Sequence, residues 1–307
     1  SQEPQALELT HTANSDPAVL SAQQIATGKG VRVAFLADGL DVNLPDFIRA
    51  DGSHVIADYK DFSGEGLAAP TSGAEAFGDA SAIAAQGRQR YDLSQFVNPA
   101  HPLPAGCTIR VLGTAPDAQL VAIKVFPAGG FGFNSAILAG LEYAVTVDHV
   151  DVVNESFGSN QFPDTNNDPT ALFNALLARS GVTVVASSGD AGPQNTIGSP
   201  ASTPGVISTG ATTMFRGLAQ SGYYGYTLSN GAYSSDNISA LSSSGITHTG
   251  AAINLLAPGD LGWALCSPKS TIYLGCGDLK GKPSPIQLFG GTSQSAPLTA
   301  GAATVLM

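Results

Sequence analysis

The sequence predicts an α/β fold with a doubly wound, mainly parallel sheet and helices on both faces. Short β-branched runs alternate with helical stretches along the chain, and the runs end in small or turn-forming residues, as buried parallel strands do. No linker, low-complexity tract or repeat interrupts this alternation. We therefore expect residues 1–307 to form a single domain.

Each predicted element follows from its local sequence. Five apolar, β-branched runs are predicted strands: 31–37, 119–126, 150–157, 182–189 and 205–211. Helices are predicted at 81–87, 134–147 and 169–181, the last ending at Gly181, and a final helix at the end of the chain with Pro297 in its first turn. In such sheets the functional site lies at the carboxyl ends of the strands. Asp38, Ser156 and Asp190 cluster there.

Composition limits the partners of this chain. Of its 307 residues, 43% are hydrophobic and 12% charged, so a sizeable core is expected in a monomer that folds alone. The net charge is −11 and the 13 Lys and Arg residues form no basic run, which argues against nucleic acid and anionic membranes as partners. No apolar run approaches the roughly 20 residues that span a bilayer. The first ten residues lack the features of a signal peptide, so we expect a mature, secreted chain.

The three cysteines predict one disulfide. Cys266 and Cys276 bracket a loop whose length suits a local bridge in an exported protein, and Cys107 has no evident partner. A metal site built from the three cysteines is the alternative, but the sequence has no C-x-x-C pair and no nearby His. We expect the disulfide and no metal ligands.

The stretch "GGTSQSAPL" at 290–298 suggests a nucleophile on a strand-to-helix turn. Two glycines allow a substrate to approach the backbone closely, and the following helix N-terminus favours a developing negative charge. Ser293 is therefore a candidate nucleophile. A serine in a glycine-rich turn is otherwise ordinary turn chemistry.

Five ordered blocks resemble the subtilisin-like serine protease superfamily, including its sedolisin (serine-carboxyl peptidase) branch. They are "VVNESFG", "VVASSGDAG", "SPASTPGVISTGA", "LLAPGD" and "GGTSQSAPLTAGAA", and the resemblance runs from about Gly28 to the last residue. It implies a subtilisin-like fold and a secreted endopeptidase, from which a propeptide is expected to have been removed.

The family's usual Ser-His-Asp triad is absent from this chain. Ala37 occupies the position of the family's Asp, and Glu75 that of its His, while none of the five histidines lies in the family's helical Gly-Thr context. Resemblance to sedolisins implies that Glu75 takes the proton of Ser293 and that Asp79 orients Glu75. The two acids lie four residues apart on one helix face, and a close carboxyl pair holds one proton with a raised pKa. Such a pair serves as a base in an acidic environment.

Asp190 stands where subtilisins carry the Asn of the oxyanion hole and sedolisins carry Asp. Only a protonated Asp donates a hydrogen bond to an oxyanion, so this position also indicates function in acid. The backbone N–H of Ser293 is the expected second donor. The catalytic prediction is thus Ser293, Glu75, Asp79 and Asp190.

By the same resemblance, a polypeptide substrate binds as an extended strand between two edges of the cleft. The predicted peptide-binding residues fall into three segments: Gly130, Phe131, Gly132; Ser156, Phe157, Gly158; and Ser187, Ser188, Gly189. No cofactor is expected for catalysis. A structural calcium ion is left open, because no D-x-D-x-D-G loop indicates one and the sedolisins' C-terminal calcium-binding segment has no counterpart before Met307.

Several alternatives remain at this point. Glu75 and Asp79 are also compatible with a solvated first helical turn, and Asp190 with an Asx-turn. Asp38 and Asp41 are interpreted as turn or support residues. The competing functions are a peptide-binding protein that has lost catalysis and a serine esterase. A helical carboxyl pair together with an acidic oxyanion position favours the peptidase, because decay would leave arbitrary residues there.

Overall fold

The computed structural model describes residues 5–159, 168–221, 235–247 and 250–307. Its strands are β1 (Arg32–Ala37), β2 (Ile56–Asp61), β3 (Tyr91–Asp92), β4 (Thr108–Ile109), β5 (Gln119–Lys124), β6 (Val152–Glu155), β7 (Thr183–Ser187), β8 (Ile207–Thr213), β9 (Leu255–Asp260), β10 (Gly262–Leu265) and β11 (Ile286–Phe289). Seven of them form the central sheet in the order β2-β5-β1-β6-β7-β8-β9. All the pairings in this sheet are parallel. Two antiparallel pairs, β3 with β4 and β10 with β11, lie outside it.

Helices connect these strands and cover the sheet. They are α1 (Gln5–Leu9), α2 (Glu75–Ala84), α3 (Asn134–Thr146), α4 (Pro169–Arg179), α5 (Phe215–Ser221) and α6 (Thr292–Leu306), with short 3-10 helices at Ala22–Gln24, Pro45–Phe47 and Ser94–Phe96. None of the helices in the described ranges combines the length and apolar character needed to cross a membrane.

The two faces of the sheet bury two separate clusters of apolar side chains. Along β1, Val33 and Phe35 belong to the cluster that includes side chains of α2 and α6. Ala34 and Leu36 point the other way, into the cluster that includes side chains of α3 and α4. This alternation follows from the two-residue period of a strand. The predicted doubly wound α/β fold with helices on both faces is confirmed.

The five predicted strands are β1, β5, β6, β7 and β8, each near its predicted position. The helix predicted at 81–87 is the second half of α2, which begins earlier, at Glu75, and ends at Ala84. It ends there because Ala85 turns to extended backbone, with φ −57° and ψ 146°. The next N–H groups then donate elsewhere, that of Gln86 to the Asp46 carbonyl and that of Gly87 to the Val111 carbonyl.

The predicted disulfide is present. Cys266 and Cys276 are bonded, with an S–S distance of 2.01 Å, and both are buried. The bridge closes the loop between β10 and β11. Cys107 is a free thiol.

Candidate active site

Ser293 lies in the first turn of α6, immediately after the glycine pair that follows β11. Gly291 precedes the helix with a φ of 85°, in the left-handed region that favours glycine. The Ser293 hydroxyl donates to the Ser156 carbonyl at 3.1 Å. It also lies close enough to the Glu75 carboxyl to lower the pKa of that acid. The serine is half-buried, so its oxygen borders the open cleft.

Pro297 lies one turn deeper in the helix than the sequence predicted, because α6 already begins at Thr292. Proline has no N–H, so residue 297 makes no helical hydrogen bond to the carbonyl of Ser293. That carbonyl instead accepts the Ser156 hydroxyl at 3.1 Å. Because Pro297 leaves this carbonyl without a helical partner, the backbone of the nucleophile is hydrogen-bonded to the residue that follows β6.

Glu75 and Asp79 begin α2 on the face that packs against α6. Asp79 is fully buried, and its Oδ1 accepts the Ser156 hydroxyl at 2.6 Å. Asn154 donates to the Ser156 hydroxyl at 2.9 Å and, from its place near the Asp79 carboxyl, lowers the pKa of that acid. One oxygen of each acid, Oε1 of Glu75 and Oδ2 of Asp79, is buried without a hydrogen-bond partner among the described residues. These are the oxygens available to hold a proton.

Burial is the main cause of a strongly raised pKa in both acids. Desolvation raises the pKa of Glu75, and the charges of Asp79 and Asp38 raise it further, whereas the hydrogen bond with Ser293 lowers it. Desolvation likewise raises the pKa of Asp79, against the hydrogen bond from Ser156. The pair therefore holds a proton to a higher pH than isolated carboxyls would.

Asp38 is a third carboxyl at this point. It is 8% exposed, and it accepts the Ala76 backbone N–H at 2.9 Å and the Thr71 hydroxyl at 3.1 Å. Burial raises the pKa of Asp38 in spite of these hydrogen bonds. The residue supports the start of α2, as the sequence suggested. It also adds negative charge beside Glu75.

Ala37 and Asp41, which lie close to Asp38 in the sequence, have different roles from it. Ala37 is fully buried in the core at the end of β1. Asp41 forms an ion pair with Lys269 at 2.7 Å and accepts the Asn43 N–H at 3.2 Å, which is a support role.

Asp190 follows β7 and contacts the start of α6. Its Oδ1 accepts both the backbone N–H of Thr292, at 2.8 Å, and the Thr292 hydroxyl, at 2.9 Å. The Gly189 N–H donates to the same hydroxyl at 3.1 Å. These bonds place Asp190 beside Ser293, and both residues line the same cavity. The side chain is exposed to the cleft.

Two adjoining cavities open at this edge of the sheet. A cavity of about 340 Å³ is lined by Asp190, Ser293 and the predicted segment Ser187, Ser188, Gly189. The Ser188 hydroxyl donates to the Ser243 carbonyl at 2.9 Å and is buried, so Ser188 forms part of the wall.

The larger cavity, of about 810 Å³, lies between the two predicted peptide-binding edges. Gly130, Phe131 and Gly132 line one side, and Ser156, Phe157 and Gly158 the other. Phe157 packs edge-to-face on Phe126, with ring centroids 5.3 Å apart, whereas Phe131 is 86% exposed. Glu75, Ser293 and Asp190 therefore line two adjoining cavities together with the predicted peptide-binding residues, whereas Asp79 lies buried behind them.

Metal ligation has no counterpart in the described part of the chain, where no group of three or more His, Cys, Asp or Glu side chains is arranged to hold an ion. The open question of a structural calcium ion stays a prediction.

Sequence reasoning missed the supporting role of β6. Ser156 was predicted only as part of a peptide-binding edge, yet its hydroxyl bonds to Asp79 and to the backbone of Ser293. Asn154 also donates to the Ser156 hydroxyl, at 2.9 Å. The spacing of these two residues was an available signal, because positions two apart on a strand share a face.

Comparison with known proteins identifies relatives of this chain. The family model described as "Subtilase family" matches residues 28–307. The chain is 35% identical over 191 residues to the Minor extracellular protease Vpr of Bacillus subtilis (strain 168), a match covering 61% of this chain and 21% of that protein. It is 44% identical over 109 residues to Subtilisin DY of Bacillus licheniformis, covering 34% of this chain and 37% of the relative. The matches span less than half the length of these curated relatives.

A solved structure shares the fold. Sphericase superposes with a TM-score of 0.65 at 21% sequence identity, covering 100% of this chain and 84% of that one. At this level of identity the likeness concerns the fold.

Proposed function

Because the chain belongs to the subtilase family, we propose that it is a serine endopeptidase whose general base is the carboxyl of Glu75 instead of a histidine. The observation that carries this proposal is the convergence of Ser293 and the carboxyl pair on Ser156, whose carbonyl accepts the Ser293 hydroxyl and whose hydroxyl donates to Asp79. Glu75 lies one helical turn before Asp79, close enough to Ser293 for the serine to lower its pKa. A nucleophile, a base and an orienting group in this order make up the general arrangement for acyl transfer.

In the proposed reaction, the Ser293 oxygen attacks the carbonyl carbon of the substrate while its proton passes to Glu75. A tetrahedral intermediate forms, and its oxygen becomes negatively charged. The proton then moves from Glu75 to the amine nitrogen as the C–N bond breaks, leaving an acyl-enzyme on Ser293. Water then attacks the acyl carbon and gives a proton to Glu75, which passes it to the Ser293 oxygen as the C–O bond to Ser293 breaks and the acid is released.

Asp79 and Asp38 tune the base in this scheme. Burial and mutual repulsion raise the pKa of Glu75, and a carboxyl with a raised pKa is a stronger base than one at its ordinary value of about 4.3. Asp79 is held next to Glu75 by the Ser156 hydroxyl, which in turn accepts a hydrogen bond from Asn154 on β6. The hydrogen bonds that would favour full ionisation of the pair are thus too few to overcome burial.

The oxyanion of the intermediate is stabilised by the backbone N–H of Ser293 and by the protonated carboxyl of Asp190. Both bonds from Thr292 fall on Oδ1 of Asp190, so we assign the proton to Oδ2. An ionised Asp190 would repel the oxyanion instead. The proposed enzyme therefore works in acid, where Asp190 is a donor and one proton remains in the carboxyl pair.

The substrate is proposed to be a polypeptide bound as an extended strand between the edges at 130–132 and 156–158. The glycines at these edges leave backbone groups accessible for strand-like hydrogen bonds. Secretion is proposed because a relative carries the name of an extracellular protease. A removed propeptide and a monomeric state stay predictions.

Covalent labelling tests this function without knowledge of the natural substrate. A peptide aldehyde or serine-directed reagent at about pH 4, near the ordinary carboxyl pKa, is expected to attach to Ser293, and peptide mass spectrometry locates the adduct. Ser295→Ala is the matched control, because the Ser295 hydroxyl is buried and donates to the Ala257 carbonyl at 3.0 Å. Peptide binding without any adduct would instead favour the inactive peptide-binding protein, and an adduct at Ser295 or Ser188 would refute the assignment.

A further inference from the structure

Glu155 is a buried acid that the proposed reaction does not use. It is the last residue of β6, directly before Ser156, and it is 0% exposed. Successive side chains of a strand point to opposite faces. Asn154 and Ser156 therefore face α2 and α6, while Glu155 faces the layer of α4.

Among the described residues, one side chain on that face forms a hydrogen bond with Glu155. Oε2 of Glu155 accepts the side-chain N–H of Asn174, on α4, at 2.5 Å. Oε1 of Glu155 and Oδ1 of Asn174 are both buried with no hydrogen-bond partner among the described residues. Both are acceptors, so in this ionisation state neither can satisfy the other. A proton on Oε1 would let the carboxyl donate to the amide oxygen and form a two-bond acid–amide pair.

The surroundings favour the protonated form. The pKa of Glu155 is raised to about 8, mainly by burial; the hydrogen bond from Asn174 lowers it and the negative charge of Asp168 raises it. Asp168 is the N-cap of α4. The neighbours of Glu155 across the sheet, Leu36 on β1 and Ala186 on β7, carry no charge.

We propose that Glu155 is a positioning residue that acts as a neutral carboxylic acid, pairing with Asn174 to hold the end of β6 against α4. This pair fixes Ser156, which holds Asp79 through its hydroxyl and accepts the Ser293 hydroxyl at its carbonyl. The same strand end continues into the peptide-binding edge at 156–158.

A second connection between α4 and this edge supports the proposal. Asp168 accepts a hydrogen bond from the Ser199 hydroxyl, and the Ser199 carbonyl accepts the Ser159 N–H at 2.9 Å. The edge is thus tied to α4 on both sides of Phe157. Loss of the Glu155 proton would leave an unpaired charge between these ties, so the edge would have to move to solvate it.

The link to peptide binding and catalysis rests on the function proposed above, whereas the protonation of Glu155 does not. The two are therefore measured separately, both in Ser293→Ala protein, which cannot cleave itself through Ser293. Carbon-13 NMR of glutamate carboxyls reads protonation directly. We expect two glutamates with raised pKa values: Glu155→Gln removes the signal that titrates near pH 8, and Glu75→Gln removes the other.

Peptide affinity provides the readout that a purely structural role would not change. An uncleaved peptide is titrated into Ser293→Ala protein with and without Glu155→Gln from pH 6 to 9. If binding requires the proton, the dissociation constant of the Ser293→Ala parent divided by that of the Glu155→Gln variant rises about tenfold per pH unit above the pKa of Glu155. The reason is that only the protonated fraction of the parent binds the peptide. Glu142→Gln, at an exposed glutamate of α3, is the matched control and should follow the parent.

Two results would overturn the proposal. One is a Glu155 carboxyl that titrates below pH 6, and the other is a ratio of dissociation constants that stays constant from pH 6 to 9. Should Glu155→Gln not fold, the Ser293→Ala, Glu75→Gln protein decides the matter, because Glu155 is then expected to be its one glutamate that still titrates near pH 8.

Discussion

Substituting Glu75 by Gln separates the chemistry of the proposed base from its shape. Gln has the size of Glu and keeps a side-chain oxygen that can accept the Ser293 hydroxyl, so the start of α2 and its packing on α6 are preserved. It cannot take the proton of the serine. The expected result is a loss of kcat with an almost unchanged KM.

The size of the loss follows from the role assigned to the residue. A positioned general base contributes about 10²- to 10⁴-fold to the rate, equivalent to about 3 to 5 kcal/mol of transition-state stabilisation. Since the carboxyl pair is the only base proposed for Ser293, we expect the upper part of that range. KM should change by less than about threefold, because Glu75 is not placed in the peptide-binding edges.

Glu75→Gln should make the fold more stable at neutral pH, although it lowers activity. The folded-state pKa of Glu75 is raised above its unfolded value by burial and by the charges of Asp79 and Asp38. The unfolded chain therefore binds fewer protons than the folded chain between these two pKa values, and stability falls as pH rises through this range. Gln does not titrate, so Glu75→Gln should raise the melting temperature at pH 7 and leave it nearly unchanged at pH 3.

The assay is cleavage of a denatured protein at pH 4 to 5, combined with thermal unfolding at both pH values and with Glu142→Gln as control. A protein that is inactive and also more stable at pH 7 fits a buried base. Retention of more than about a tenth of wild-type kcat, a loss under roughly 1.4 kcal/mol, would refute the base role. Inactivity accompanied by lower stability at both pH values would indicate misfolding instead.

Four further substitutions and conditions test other parts of the site. Asp79→Asn should reduce kcat strongly but less than loss of the base, since it removes the proton-sharing partner of Glu75 and leaves Glu75 in place, and an unchanged kcat would contradict the orienting role. Asp190→Asn keeps a donor when a carboxyl would ionise, so the alkaline limb of kcat/KM against pH should move upward while the acidic limb stays; an unmoved alkaline limb would return Asp190 to a turn residue. Replacing Cys266 and Cys276 by Ser should lower the free energy of unfolding by about 3 kcal/mol, from the closed loop of about 11 residues, as measured by urea denaturation. Because the pKa of Glu155 is raised from 4.5 to about 8, its titration should lower the free energy of unfolding by up to about 5 kcal/mol as the pH rises from 4 to 8. A free energy of unfolding that does not depend on pH in this range would contradict the burial of Glu155 as an acid.

The fold was predictable because its central strands are nearly continuous apolar runs. β1, β5, β6, β7 and β8 lie between other strands, and burial on both faces leaves a clear β-branched signal. β2 and β9 are the edges of the same sheet and were not predicted as strands. β2 reads "IADYKD", with charges on an exposed edge, and β9 reads "LLAPGD", with Pro258 and Gly259 in it.

The site was predictable only as separate pieces. Glu75, Asp79, Asp190 and Ser293 each follow from a sequence block, but only the first two have a spacing that predicts their proximity, as residues four apart on one helix. The sheet decides the proximity of the others, because β6, β7 and the turn after β11 end at one edge. The contacts of Ser156 with Asp79 and with the Ser293 backbone depend on that tertiary arrangement and have no local signal beyond strand alternation.

Glu155 illustrates the remaining gap between sequence and site. In "VVNESFG" an acid within a buried strand contradicts the apolar pattern around it, and such local contradictions concentrate at functional or strained positions. The sequence alone cannot give its partner, since Asn174 lies 19 residues away on a helix. Only the packing of α4 on β6 converts the anomaly into an acid–amide pair.

The buried acids connect the proposed activity with the stability of the fold. Burial raises the pKa values of Glu75, Asp79, Asp38 and Glu155, so each of these carboxyls binds its proton more tightly in the folded state than in the unfolded chain. Each therefore lowers stability as the pH rises above the unfolded-state value of about 4. The net charge of −11 at pH 7 adds self-repulsion in the same direction, and protonation relieves it. An enzyme whose base needs a proton-sharing pair and whose oxyanion donor needs a protonated Asp would thus find its most stable folded state in the same acidic range, and a fold maximally stable at neutral pH would argue against the proposed mechanism as a whole.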